Sequence, residues 1–189
     1  MNSCVAFAGP HSIASGAFRD VAIAAKAFLD EHPAAQILIF DDCTSEPVEI
    51  DFRGSVADVL ERLPVPAETE ARRPGRPKLG VVAREVTLLP RHWEWLAAQP
   101  GGASVALRKL VDQARRAGGA RDEARRAQEA TYRFVSAMAG NEPGFEEAIR
   151  ALFAGNAARF HEMTEAWPPD IRAHAWKLAA MAFEPSAER

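Results

Sequence analysis

The first 64 residues alternate short apolar runs with turn signals, a pattern typical of a small mixed α and β domain. Four runs have the length and composition of β-strands, and they occupy residues 3–8, 12–16, 36–40 and 47–52. Between the second and third runs, apolar residues recur at helical spacing over residues 18–31. Ser55 followed by Asp58 predicts a capping box at the start of a helix that ends near residue 63. We therefore predict a ββαββα domain.

The centre of the chain carries one predicted strand followed by two amphipathic helices. Residues 81–89 are rich in β-branched and aliphatic side chains, and Pro90 is suited to the first position of a helix. Ser104 is placed to be the N-cap of the second helix. The apolar stripes of the two helices are Trp93, Leu96 and Ala97, then Leu107, Leu110, Val111 and Ala114. So small a unit cannot bury these faces alone, and we expect it to pack against the rest of the chain or a second copy.

Beyond residue 120 the apolar pattern is helical. The predicted helices occupy residues 122–139, 144–154, 156–165 and 170–183. Asn156 and Asp170 are the predicted N-caps of the last two. The predicted fold class is α+β. Its predicted regions are a ββαββα domain at 1–64, a basic linker or arm at 65–80, the strand-helix-helix unit at 81–120 and a helical region at 121–189.

Charge is distributed unevenly along the chain, although the net charge is only −3. Residues 1–70 hold 4 basic and 12 acidic side chains, residues 71–126 hold 13 and 5, and residues 127–189 hold 6 and 9. A basic block with a net charge of +8 predicts a surface that binds a polyanion. A solvated arginine-rich helix beside a flexible linker is the alternative interpretation.

The sequence carries few signals for catalysis, metal binding or membrane insertion. No apolar run is long enough to span a membrane and no secretory signal is recognisable, so we expect a cytoplasmic protein. The two cysteines and five histidines do not occur at metal-ligand spacing, and we expect no metal and no cofactor. The acidic pair Asp41-Asp42 could ligate a metal or act in catalysis, and an exposed turn is the simpler interpretation. We predict that the protein is not an enzyme.

The order of strand, proline, helix, glycine turn and serine-capped helix over residues 81–116 resembles the ribbon-helix-helix family of bacterial DNA-binding proteins. The resemblance implies a homodimer whose two strands form a ribbon in the major groove, while the start of the second helix holds a phosphate. Ser104 and Val105 would then contact the phosphate. If the alternation of side chains is counted back from Pro90, Arg84, Val86 and Leu88 face outward. If the apolar residues of the strand are instead taken to face inward, Glu85 and Thr87 face outward. The sequence leaves both alternations open.

The preceding segment "RRPGRPK" resembles the AT-hook, whose Gly-Arg-Pro core lies in the narrow minor groove of A·T-rich DNA. Gly75, Arg76 and Pro77 match that core. Proline keeps such a segment extended, and arginine is attracted by the negative potential of a narrow groove. The basic residues expected to contact phosphates or the minor groove are Arg72, Arg73, Arg76, Lys78, Arg84 and Arg91.

As a whole, the chain is similar to an uncharacterised bacterial family defined as a domain of unknown function, most recognisably over "GRPKLGVVAREVTLLPRHWEWLAAQPGGASVALRKLVDQARR". We predict a homodimeric DNA-binding protein, acting as a transcriptional regulator, with ligand or protein contacts at the C-terminal helices. One alternative is an antitoxin-like dimer that binds a protein partner without reading DNA. Another is a ligand-binding protein or enzyme centred on Asp41 and Asp42.

Overall fold

The computed structural model describes residues 3–64, 82 and 84–183. It confirms the predicted α+β class. The elements are β1 (Ser3–Ala8), β2 (His11–Ala17), α1 (Phe18–Glu31), β3 (Ile37–Asp41), α2 (Val56–Arg62), α3 (Pro90–Ala97), α4 (Gly102–Met138), α5 (Phe145–Phe153), α6 (Ala157–Thr164), α7 (Pro169–Ala179) and a final 3₁₀ turn (Ala180–Ala182). Within the described ranges, no helix is both long and apolar enough to cross a membrane.

The described residues form two compact units. The sheet unit comprises those within Met1–Pro66 and Ala120–Arg189, and the central unit comprises those within Ala67–Gly119. Described residues from both the predicted 1–64 domain and the predicted 121–189 helical region lie in the sheet unit.

The sheet unit is built on three antiparallel strands in the order β2-β1-β3. The predicted first hairpin is confirmed, with Ser3 opposite Ala17 and Ala8 opposite His11. A register shift between Ala6 and Phe7 marks a bulge in this pair. Because β1 lies between two neighbours, both edges of its backbone are paired.

Both faces of β1 are covered, which explains why its four central residues are all buried. Cys4 and Ala6 point to the face on which α1 packs, through Val21 and its neighbours. Val5 and Phe7 point to the opposite face, which the helices after residue 120 cover. The alternation of side chains along a strand therefore serves two hydrophobic layers rather than one.

Phe134 of α4 lies at the centre of the second layer and is fully buried. Its ring centroid is 5.4 Å from that of Phe7 and 5.5 Å from that of Phe40. Leu152 of α5 and Phe160 of α6 belong to the same buried cluster. The aromatic residues of the C-terminal helices thus form a core with the sheet.

The predicted second hairpin is largely wrong. Strand β3 forms as expected, but residues 47–52 contribute only one bridge, between Phe40 and Pro47. This bridge is flanked by two backbone hydrogen bonds, from the N–H of Asp41 to Glu46 at 2.9 Å and from the N–H of Val48 to Ile39 at 2.8 Å, and no further bridge forms over residues 48–52. Val48 and Ile50 still pack against the α1 side of the sheet, so the apolar pattern marks burial without a second full strand.

The helix boundaries show which local signals are reliable. The Ser55–Asp58 capping box is confirmed, and Asn156 caps α6 by accepting a hydrogen bond from the backbone N–H of Arg159 at 3.0 Å. The predicted cap at Asp170 is wrong, because Pro168 is the N-cap of α7. The second helix of the central unit and the predicted helix from residue 122 are not separate, since α4 runs unbroken through Gly118-Gly119. Flanking alanine, arginine and glutamate favour helix strongly enough to offset about 1 kcal/mol for each glycine.

Candidate functional site

The structure gives positions for six of the ten predicted DNA-binding residues. Arg72, Arg73, Arg76 and Lys78 lie outside the described residues. Arg84, Glu85 and Thr87 are exposed ahead of α3, and Arg91 is exposed in its first turn. Ser104 and Val105 lie in the first turn of α4. The chain thus brings the predicted phosphate-binding residues to a helix start, with exposed arginines on the preceding segment and helix.

The predicted strand at residues 81–89 is not formed in the single chain. Val82 and residues 84–89 have no strand structure, while residues 81 and 83 lie outside the described part. A strand is defined by backbone hydrogen bonds to a neighbouring strand, and the neighbour in the predicted ribbon is a second copy. Leu89 nevertheless has an extended backbone, with φ −66° and ψ 150°, immediately before the helix begins at Pro90.

The predicted helix, glycine turn and second helix are all present. The N–H of Ala98 donates to the carbonyl of Glu94 at 3.2 Å, and that of Gly102 donates to Gln99 at 2.9 Å. Gly101 has a φ of +87°, and a Cβ at this position would lie 3.2 Å from the side chain of Val105. Glycine is therefore required where α3 ends and α4 begins.

Ser104 is not an N-cap, because α4 begins at Gly102 and places this serine inside the first turn. Its carbonyl oxygen accepts a hydrogen bond from Nε of Arg108 at 3.0 Å, and the guanidinium also lies 3.5 Å from its hydroxyl. The first turn of a helix has unpaired N–H groups and partial positive charge. An exposed hydroxyl, a guanidinium and a helix start are therefore close together, a combination that suits an anion.

The central unit has almost no core of its own. Among its described side chains up to residue 115, only Leu96 and Ala106 are buried. Large apolar side chains are instead at least 41% exposed at Val82, Val86, Leu89, Trp93, Trp95, Leu110 and Val111. Exposed apolar side chains in such number are typical of surfaces that contact another molecule.

The acidic pair of the sheet unit has two distinct structural roles. Asp41 accepts hydrogen bonds from the backbone N–H groups of Cys43 and Thr44, both at 2.9 Å. Although partial burial raises the pKa of Asp41, these bonds hold it below its ordinary value. Asp42 instead pairs with Lys177 of α7, whose Nζ donates to both carboxylate oxygens at 2.7 Å. Asp41 is thus a turn residue, while Asp42 faces α7.

The sheet unit also contains an open cleft, lined by polar and apolar side chains, that the sequence patterns did not predict. Its volume is about 260 Å³, and its lining residues are Val5, Phe7, Ser12, Ser15, Asp42, Asp170, Ala173, His174 and Lys177. Burial lowers the pKa of His174 to about 4, with Asp42 raising it and Lys177 lowering it. The only sequence signal was the helical spacing of Asp170, His174 and Lys177, because Ser12 and Asp42 are distant in the chain.

These observations define a mixed α+β protein with a basic central unit and an open cleft in its sheet unit. The family model described as an uncharacterized protein conserved in bacteria, DUF2239, matches residues 3–179. The chain belongs to this family, as the resemblance over its most recognisable stretch predicted. No curated protein and no solved structure matches it.

Proposed function

We propose that the protein is a homodimer that binds DNA in the cytoplasm and acts in transcriptional regulation. The observation that carries this proposal is the small core of the described part of the central unit, where Leu96 and Ala106 are the only buried residues up to residue 115. A second copy of the chain would cover exposed side chains of this unit, because two central units can cover each other's apolar faces symmetrically. Pairing residues 81–89 of two chains would also satisfy their backbone groups as a ribbon.

The DNA contacts follow from that arrangement. A two-stranded ribbon fits the major groove, where Arg84 or Glu85 and Thr87 would face base edges according to its phase. The first turn of α4, with Ser104 and the neighbouring Arg108, would bind a phosphate. The charge of +8 over residues 71–126 supplies the sequence-independent attraction to the duplex.

The proposal is tested by replacing one exposed apolar residue on the central unit. Val111→Glu should break the dimer and abolish duplex binding without unfolding the chain, because this side chain is 54% exposed in the single chain. Phe153→Glu is the matched control, since Phe153 is 52% exposed but belongs to the sheet unit. Sedimentation velocity measures the oligomeric state, and a gel-shift assay with random-sequence duplex measures binding.

Two outcomes would contradict the proposal. A wild-type chain that sediments as a monomer would rule out the proposed ribbon, since the ribbon requires two copies. A dimer that does not bind duplex DNA even at low salt would rule out the proposed DNA contacts. The second outcome would favour the antitoxin-like interpretation, in which the central unit joins two copies that bind a protein partner.

A further inference from the structure

A small hollow lies between the two helices of the central unit. Its volume is about 170 Å³, and its lining residues are Trp95, Gln99, Pro100, Ala106, Lys109, Leu110 and Gln113. Trp95 and Gln99 are one helical turn apart on α3. The lining residues of α4 recur at intervals of three or four positions, so they form one stripe along that helix. The hollow is therefore a groove between α3 and α4.

The hollow lies on one side of the contact between α3 and α4. Successive residues of a helix are about 100° apart around its axis, so Trp93 and Trp95 point to either side of buried Leu96. On α4, Val111 is turned about 140° from buried Ala106, whereas the lining residues of the same helix are within about 60° of it. A second copy that packs on Trp93 and Val111 would therefore leave the hollow open.

The apolar groups of the hollow are accessible to a ligand. Trp95 is 53% exposed and Leu110 is 43% exposed. The indole of Trp95 makes no ring contact or cation contact with any residue that the structure describes. An indole is a large flat apolar surface, and aromatic rings stack on it in an offset arrangement. The hollow thus presents an unoccupied stacking surface to a planar ring.

The polar groups of the hollow favour an anion. Lys109 is the one charged residue of the lining, and its exposed ammonium group has no hydrogen bond or ion pair within the described part of the chain. The side chain of Gln113 is also exposed and without such a partner there. Gln99 uses its amide N–H to donate to the carbonyl oxygen of Trp95 at 3.2 Å. An ammonium group and an amide donor are therefore left to bind an acceptor with negative charge.

We propose that this hollow binds a single-ring aromatic carboxylate. The ring stacks on Trp95 and contacts Leu110, while the carboxylate accepts hydrogen bonds from the ammonium group of Lys109 and the amide of Gln113. A cavity of roughly 150 Å³ accommodates benzene, and drug-sized ligands occupy roughly 300–1,000 Å³. A volume of about 170 Å³ therefore fits one ring. The site depends neither on the proposed dimer nor on the proposed DNA contacts.

The test uses the full-length protein labelled with 5-fluorotryptophan and titrated without DNA. The four tryptophans give separate ¹⁹F NMR resonances, and that of Trp95 is assigned by its loss in Trp95→Phe. Benzoate should shift the Trp95 resonance saturably, while that of Trp167, which is 2% exposed in the sheet unit, should not respond.

Two further probes separate the charge from the ring. Benzamide keeps the ring without the charge, and cyclohexanecarboxylate keeps the charge without an aromatic face. Each should bind roughly threefold or more weakly than benzoate, because each lacks one of the two contacts. Absence of a saturable Trp95 shift with benzoate would overturn the proposal, and so would equal affinity for either of the other two probes.

A charge-removing variant tests the role of Lys109. Lys109→Gln should weaken benzoate binding by roughly threefold and should abolish the preference for benzoate over benzamide. Arg115→Gln is the matched control, because it removes one positive charge from an exposed position of α4 outside the lining, and it should bind benzoate as the wild type does. Unchanged affinity in Lys109→Gln, or equal weakening in both variants, would overturn the proposal. An unchanged Trp167 resonance verifies that each variant is folded.

Discussion

Replacing His174 with phenylalanine should remove part of the acid sensitivity of the fold. In the folded protein, burial among Phe7 and Phe134 lowers the pKa of His174 from 6.5 to about 4. The unfolded chain therefore takes up a proton at a higher pH than the folded chain does. The contribution of the neutral imidazole is fully present above about pH 6.5 and is lost as the pH falls toward about 4.

The size of this effect follows from the shift in pKa. A lowering from 6.5 to about 4, at 1.36 kcal/mol for each unit, corresponds to a loss of about 3 kcal/mol across that interval. His174→Phe lacks the titrating group, so its free energy of unfolding should fall by about 3 kcal/mol less than that of the wild type over the same interval. At neutral pH, the variant should be at least as stable, because it removes a buried nitrogen without a partner.

Urea unfolding followed by circular dichroism gives the required free energies, measured at several pH values and one fixed protein concentration. The concentration must be constant because the stability of the proposed dimer would depend on it. Carboxyl groups such as Asp41 and Asp58 titrate in both proteins, so the difference between the two curves isolates His174. Parallel curves from about pH 6.5 to 4 would refute the reasoning.

Three further substitutions test how the fold is held together. Phe134→Ala removes a fully buried ring that contacts Phe7 and Phe40, and it should cost about 3–5 kcal/mol in urea unfolding, against at most about 0.5 kcal/mol for exposed Phe153→Ala. Ser55→Ala breaks the capping box of α2 and should cost about 1 kcal/mol in the same assay. Gly101→Ala forces a Cβ into a left-handed turn 3.2 Å from Val105, and it should lower the thermal midpoint. Ala98→Gly is the control, because Ala98 has right-handed helical angles, and it should lower the midpoint by less. An unchanged midpoint in Gly101→Ala would show that the turn is not constrained as described.

Local signals predicted much of the fold because they act over a few residues. The β1-β2 hairpin follows from two short apolar runs around Gly9-Pro10, and α1 begins and ends at the predicted residues. The helix-turn-helix order of the central unit follows from Pro90 and Gly101 in the same way. Each of these features depends on the conformational preference of one or two residues.

The errors arose where longer-range packing decides the structure. The apolar run at residues 47–52 forms only one bridge with β3, and side chains of this run pack against the α1 side of the sheet without a second full strand. Aspartate is a common helix N-cap, yet the carboxylate of Asp170 accepts a hydrogen bond from the backbone N–H of Ser12 in the first hairpin. The cleft could not be predicted because it joins residues that are up to 172 positions apart, Val5 and Lys177. Only the folded sheet and α7 bring them together.

The dependence of duplex binding on salt tests the proposed DNA contacts most directly. Fluorescence anisotropy with a labelled duplex gives the association constant over a series of salt concentrations. The account predicts a steep fall of log K with log salt, and replacing Arg76 and Lys78 by alanine should flatten the slope by up to roughly 0.9 for each phosphate that these side chains neutralise. Replacing Arg150 and Arg159 of the sheet unit should leave the slope unchanged. Absence of duplex binding at low salt, or a slope that the Arg76 and Lys78 substitutions do not alter, would contradict it.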